Sequence, residues 1–288
     1  MAEAANAPRR AEVTVEGLAK RFGYHPFWQQ VLADCSFTLR DGELTVLIGP
    51  SGCGKSTLIN LLAGYDKPDQ GRILLNGAPV AGPGSDRLVV FQETALFPWM
   101  TTYGNVAYGP RVARNVPKER VAEKVQALLE KVGLQDFRAK YPSQLSGGMQ
   151  RRGELARMMI NDPAVTILDE PFRGLDAMTR ELMQEYFVTI LEERSQTVLF
   201  VTSEIDEAIF MADRLLIMSN RPGTILKEME IKLPRPRHKE MLQTEEYLGY
   251  KREALEVLHA EAIKAFAGGS KSAQDFLEAF HKEHVEQA

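Results

Sequence analysis

The chain has 288 residues, 44% hydrophobic and 26% charged, which suits one large or two smaller folded domains. Its 35 Lys and Arg against 39 Asp and Glu leave a net charge of −4, so no general electrostatic pull toward nucleic acid exists. No apolar run reaches the roughly 18 residues of a membrane-spanning helix. The opening MAEAANAPRR lacks the apolar core of a signal peptide, and two cysteines, Cys35 and Cys53, build no disulfide framework. A reducing cytoplasm is the expected setting.

Residues 1–10 read as a flexible tail. From 12 to 80 the chain is strand-rich: VTV, CSFTL, LTVLIG and RILLNG carry β-branched or aromatic residues bounded by Gly, Asp and Asn. Between strand LTVLI and helix STLINLLAG, Gly49-Pro-Ser-Gly-Cys-Gly-Lys55-Ser56-Thr57 fits G-x-x-x-x-G-K-[ST]. Glycines there let backbone N–H groups curl around phosphate oxygens, and the helix start adds its positive dipole. Lys55 would reach the β- and γ-phosphates, and the Ser56 hydroxyl would meet Mg²⁺. Gly49, Ser51, Gly52, Cys53, Gly54, Lys55, Ser56 and Thr57 are thus the expected nucleoside-triphosphate loop. Cys53 sits at a helix start, where a thiol pKa can fall, so its alkylation is expected to block ATP binding.

Further along, PKERVAEKVQALLEKV (117–132) spaces Val121, Val125, Leu128, Leu129 and Val132 as one helical face. LSGGMQ (145–150) places Ser146 and two glycines at a helix start, a second anion-binding end or simply a capped helix. AVTILDE (164–170) is an apolar strand ending in two carboxylates. Asp169 suits a Mg²⁺ shell, and Glu170 suits orienting or deprotonating an attacking water. TVLFV (197–201) runs into Thr202-Ser203-Glu204, and RLLIM (214–218) is another strand. Strands alternating with helices predict a largely parallel α/β sheet interrupted by a helical insertion. Beyond 230 the composition shifts: LPRPRHKE is a connector, and 244–266 and 273–285 read as helices joined by GGSKS.

The phosphate loop, Gln92 in VVFQE, LSGGMQ, ILDEP and Leu175-Asp176 occur in the order found in ABC-transporter ATPase subunits, and the resemblance covers roughly 12–230. GPGSDRLVVFQETALFPWMT, DEPFRGLDAMTR and NRPG look most like the nitrate/sulfonate/taurine importer branch. The resemblance implies a P-loop NTPase fold, a RecA-like core with a β subdomain and a helical subdomain at about 95–157. It gives the nucleotide-binding domain as 11–230 and a helical extension as 231–288. It further implies a homodimer or heterodimer holding two ATPs with Mg²⁺. Each ATP would meet Phe22, Lys55, Ser56, Gln92, Asp169 and Glu170 of one chain, and Ser146, Gly147, Gly148, Gln150 and Asp176 of the other. Ser56, Gln92 and Asp169 would serve the metal. By position Phe22 resembles the aromatic that stacks on adenine, with Tyr24, Phe27 and Trp28 competing for that role. Phe97 and Trp99 in LFPWMT resemble a surface that receives a permease helix. The implied setting is the cytoplasmic face of a bacterial inner membrane, beside permease subunits and, indirectly, a periplasmic solute-binding protein. Nucleic acid is not an expected partner.

The pattern breaks at Ser203. The family places a His there, contacting the γ-phosphate, and the five histidines, His25, His238, His259, His281 and His284, all lie far away in sequence. Three readings compete: retained hydrolysis, the degenerate half of a heteromeric pair, or a helix cap without further role. Gly153, Glu154 and Gly174 also depart from the family pattern. A single set of motifs and a short insertion set aside the soluble, non-transport members of the family, which resemble tandem nucleotide domains or carry long coiled-coil insertions. The FQE and FPWMT stretches favour an importer over an exporter.

Overall fold

A computed structural model describes residues 11–113, 117–194 and 196–267. The expected tail at 1–10 and the second helix of the extension, 273–285, lie outside them. The chain opens with a long hairpin, β1 (Val13–Tyr24) and β2 (Phe27–Leu39), then β3 (Leu44–Ile48) and α1 (Lys55–Ala63). β4 (Gln70–Leu75), β5 (Ala78–Pro79) and β6 (Arg87–Val90) follow. The helical insertion comprises α2 (Thr102–Ala113), α3 (Lys118–Lys131) and α4 (Gly147–Met159). The chain then alternates through β7 (Val165–Asp169), α5 (Ala177–Arg194), β8 (Thr197–Val201), α6 (Ile205–Met211), β9 (Arg214–Met218) and β10 (Ile225–Glu230), ending in α7 (Glu245–Ala267).

Two sheets result. β2-β1-β4-β5 is antiparallel, whereas the central sheet runs β10-β9-β3-β8-β7-β6, parallel from β9 to β6 with β10 antiparallel at the edge. Central strands are buried on both faces, so their alternation sorts side chains between two cores. Leu47, Leu199, Val201 and Leu216 face α1 and the antiparallel sheet. Val46, Val198, Phe200 and Ile217 face the helices, where Phe172, Phe187 and Phe200 pack with centroids 5.7–6.3 Å apart. Each such buried ring contributes about 1.5–3 kcal/mol of hydrophobic stabilisation.

In α3, Val121, Val125, Leu128 and Leu129 are buried as the spacing predicts, with Pro117 as its N-cap. α7 fills the expected helix at 244–266 and lies on the second core through the buried Tyr247 and Ala254. The Tyr247 hydroxyl bonds Asp206 at 2.6 Å, and Lys251 pairs with the same carboxylate.

Candidate nucleotide site

Two strand ends and one hairpin build the site. β3 delivers the loop 49–54, and α1 starts on Lys55 with Gly54 as its N-cap at φ 112°. A Cβ at Gly54 would lie 2.7 Å from Leu32 Cδ2 and 3.2 Å from the Val31 carbonyl, so glycine is required by conformation and space alike. Lys55 Nζ donates to the carbonyls of Gly49 at 2.8 Å and Pro50 at 3.0 Å, which folds the loop around it. β7 delivers Asp169 and Glu170. β1 and β2 supply the opposite wall.

The cleft enclosed by these elements has a volume of about 500 Å³, bordered by Phe22, Ser51, Gly52, Gly54, Lys55, Ser56, Thr57, Gln92, Asp169 and Glu170. Every one of these was marked from sequence. Phe22 is 44% exposed and reaches the cleft, whereas Tyr24 and Phe27 pack edge to face on each other at the hairpin tip and Trp28 stacks under Arg21. Gln29 and Val31 of β2, Arg173 and Arg221 also border the cleft and were not marked. Arg221 belongs to NRPG, and its guanidinium donates twice to the Gly52 carbonyl, at 2.9 and 3.1 Å.

Glu170 is 8% exposed and holds the left-handed φ of 41°, a strain that ordinary carboxylates avoid. Its N–H donates to the Val201 carbonyl at 2.8 Å, which locks the turn against β8. Burial pushes the Asp169 carboxyl up, the Glu170 charge adds to this, and Lys55 opposes it. The donor set in the cleft is all oxygen: the Ser56 hydroxyl, the Asp169 carboxylate and the Gln92 amide oxygen. Among the described residues no group of three His, Cys, Asp or Glu forms a metal cage. This fits Mg²⁺, which binds through one or two carboxylates and completes its shell with phosphates and water. Once bound, the ion neutralises charge on the phosphates.

Cys53 corrects the expectation for its thiol. The side chain turns away from solvent into the first core and is fully buried. Burial raises its pKa, outweighing the pull of Lys55. Iodoacetamide is therefore expected to leave Cys53 of the folded protein unmodified at pH 8 and to label it after denaturation, as peptide mass spectrometry would read. Modification of folded protein at the rate of a free thiol would contradict that.

Of the three readings of Ser203, the helix cap is set aside. α6 begins after Glu204, and it is the Thr202 hydroxyl that accepts from the Glu204 N–H, at 3.1 Å. Ser203 caps nothing. It is exposed and borders a cavity of about 120 Å³ with Glu170, Arg173, Arg180 and Glu207.

The signature residues lie elsewhere. Ser146 is the N-cap of α4, its Oγ accepting from Met149 N at 3.3 Å. Ser146, Gly147, Gly148 and Asp176 border a separate groove of about 810 Å³ that shares no residue with the nucleotide cleft. Asp176 accepts from the Thr179 hydroxyl and N–H, which hold its carboxyl below the usual range. Gln150, expected to act across a dimer, is engaged inside its own chain: its amide donates to Pro142 and Leu145 and accepts from Thr94.

One departure in the helix after LSGG, Glu154, has a purpose in the packing. Arg151 and Glu154 form a buried ion pair at 2.7 Å. Arg151 also donates to the carbonyls of Phe91, at 2.9 Å, and Gln92, at 2.5 Å, and Glu154 accepts from Ala95 N at 3.0 Å. The loop carrying Gln92 is thereby strapped to α4. A Cβ at Gly153 would meet only ordinary contacts at 3.6–3.8 Å, so packing does not demand glycine there.

Comparison with known proteins agrees with this geometry. Residues 32–173 match the ABC transporter family model. The chain is 39% identical to an uncharacterized ABC transporter ATP-binding protein of Methanocaldococcus jannaschii over 89% of its own length and 94% of the relative's. It is 46% identical to a taurine import ATP-binding protein of Roseobacter denitrificans, covering 70% and 75% of the two chains. A nitrate import ATP-binding protein of Synechococcus elongatus is 43% identical, with coverage of 79% and 84%. Among solved structures, a dimeric ATP-binding cassette in a post-hydrolysis state bound to ADP and Pi superposes with a TM-score of 0.67 at 26% identity, covering 77% of this chain and all of that one. The motifs, the fold and these relatives agree: the chain belongs to the ABC transporter family, as an ATP-binding subunit with ATPase chemistry.

Proposed function

We propose that the chain is the ATP-hydrolysing subunit of an importer for a small solute of the taurine, sulfonate or nitrate kind, and that two copies close head to tail over two ATPs. The observation that supports this most is the separation of the two half-sites. Phosphate loop and carboxylates border one cleft, and signature residues border another that shares none of them. One chain alone cannot put Ser146 and Lys55 on the same phosphate.

In this reading Lys55 and the loop amides bind the β- and γ-phosphates, and Phe22 stacks on adenine. Ser56, Asp169 and Gln92 hold Mg²⁺, while Ser146, Gly147 and Gly148 of the second copy donate to the γ-phosphate. Glu170 accepts a proton from the attacking water. Asp176 lies at the seam. The permease would dock on the insertion, where Trp99 is 70% exposed and a groove of about 560 Å³ runs past Tyr108, Val112 and Tyr141. Phe97 is half-buried against Tyr108 and Arg157 and would support that surface from beneath. No helix among the described residues is long and apolar enough to cross a membrane, so a separate permease must carry the solute; the subunit would sit on its cytoplasmic face. The related taurine and nitrate import proteins support the solute class.

Reconstitution of the chain with its permease in proteoliposomes tests the reading. Phosphate release that depends on Glu170 and rises with the loaded solute-binding protein is expected. Absence of Glu170-dependent release would overturn it. Ser203 then favours the second reading, a silent half paired with a competent partner.

A further inference from the structure

Besides Glu170, Arg173 is the residue that borders both the nucleotide cleft and the cavity under Ser203. Its Nη1 lies 2.7 Å from Glu170 Oε2, and its side chain is 62% exposed. Of the other cations bordering these two cavities, Lys55 donates to Gly49 and Pro50 inside the phosphate loop, Arg221 braces Gly52, and Arg180 donates through one nitrogen to Leu175 at 3.0 Å. Among the described residues the Arg173 side chain is held through the Glu170 carboxylate, at the rim between that residue and the uncharged Ser203.

We propose that Arg173 is a γ-phosphate donor that supplies the positive charge missing at Ser203. The inference rests on the reading that this cleft hydrolyses ATP. The Arg173 guanidinium pairs with Glu170. A γ-phosphate offers a stronger anion within the sweep of the same side chain, and the fork geometry of guanidinium suits phosphate oxygens. Turning toward it does two things together: it places a cation on the charge that develops in transfer, and it releases Glu170 to act as base. In that transfer the water oxygen bonds to the γ-phosphorus as the bond to the bridging oxygen breaks. The electron pair leaves with ADP, and the water proton passes to Glu170 and then to the released phosphate. Ser203, with a short neutral hydroxyl, needs only to order the water or an oxygen beside it.

The test uses the full chain and four variants: Arg173→Ala, Arg173→Lys, Ser203→His and the Arg173→Ala/Ser203→His pair. Turnover is measured alongside equilibrium affinity for ADP and for a non-hydrolysable ATP analogue. Arg173→Ala is expected to lower turnover on the order of 10²-fold, the cost of one well-aimed donor. The analogue should lose about tenfold in affinity, as removal of a charge-assisted hydrogen bond predicts, while ADP affinity stays unchanged. Arg173→Lys should recover part of both. Ser203→His should rescue Arg173→Ala far more than it improves the wild type, because the two cations serve one position. The analogue-to-ADP ratio is internal to each sample, so it remains readable if a variant folds poorly. Equal or higher turnover in Arg173→Ala with an unchanged ratio would overturn the proposal and leave the ion pair as a restraint on Glu170. If Glu170→Gln also left turnover intact, the hydrolysis reading itself would fall instead.

Discussion

Glu170→Gln is expected to cut turnover on the order of 10³-fold while leaving ATP bound, within the range for a positioned general base. The amide keeps the shape of the side chain, and its oxygen can still accept from Arg173, which sits 2.7 Å from the carboxylate. The backbone turn is held independently by the bond from Glu170 N–H to Val201, so the substitution does not disturb φ. What disappears is the carboxylate proposed to accept the water proton. If two copies close over ATP as proposed, hydrolysis would break the bridge between them, and the variant should elute as an ATP-loaded dimer in size-exclusion chromatography. Phosphate release and nucleotide binding together check the result. A fall of less than tenfold, or loss of ATP binding, would contradict it.

The second large effect is on stability. Glu154→Ala leaves Arg151 buried beside no carboxylate, and breaking one side of a buried pair costs about 3–5 kcal/mol. For a domain of this size that corresponds to a fall of about 10 °C in Tm. Burial pushes the Glu154 carboxyl up even against the neighbouring Arg151, which marks how dry the pair is. Calorimetry would read the loss. The double variant Arg151→Met/Glu154→Leu should recover much of the stability, since apolar residues of similar volume can replace a buried pair. It should not recover turnover. Arg151 also holds the carbonyls of Phe91 and Gln92, and no methionine can replace those bonds. Stability and activity would then separate, showing that the strap serves the Gln92 loop. A Tm within a degree or two of wild type for Glu154→Ala would refute this.

The parts of the site that are legible in sequence are those compressed into a few neighbouring residues. Lys55 and Ser56 follow their glycines at a strand-to-helix turn, and Asp169 ends a buried, mostly apolar strand with Glu170 directly after it. Local pattern is enough there because the geometry is local. Gln29 and Val31 reach the cleft only because β2 folds across it in a different sheet, and nothing in their own neighbourhood signals that. β3 illustrates the same limit for the fold: it lies between β2 and β4 in the chain yet joins the other sheet. Cys53 shows a local rule overruled. A helix start favours the thiolate, but the side chain points into the core, and desolvation wins. The helix-cap reading of Ser203 fails because α6 starts one residue later, with Glu204 as N-cap, a shift that pattern reading cannot resolve.

α7 bears on where the domain ends. Its Glu261 carboxylate is buried, accepts from the Asn220 N–H at 2.7 Å and pairs with Lys264. The next residue, Arg221, braces the Gly52 carbonyl from outside the phosphate loop. At its other end, Tyr247 and Lys251 fasten the helix that follows Ser203. The change of composition after 230 therefore marks where sequence pattern fades, not where the folding unit stops. A boundary drawn there would cut a buttress whose two feet stand behind the phosphate loop and behind the helix that follows Ser203.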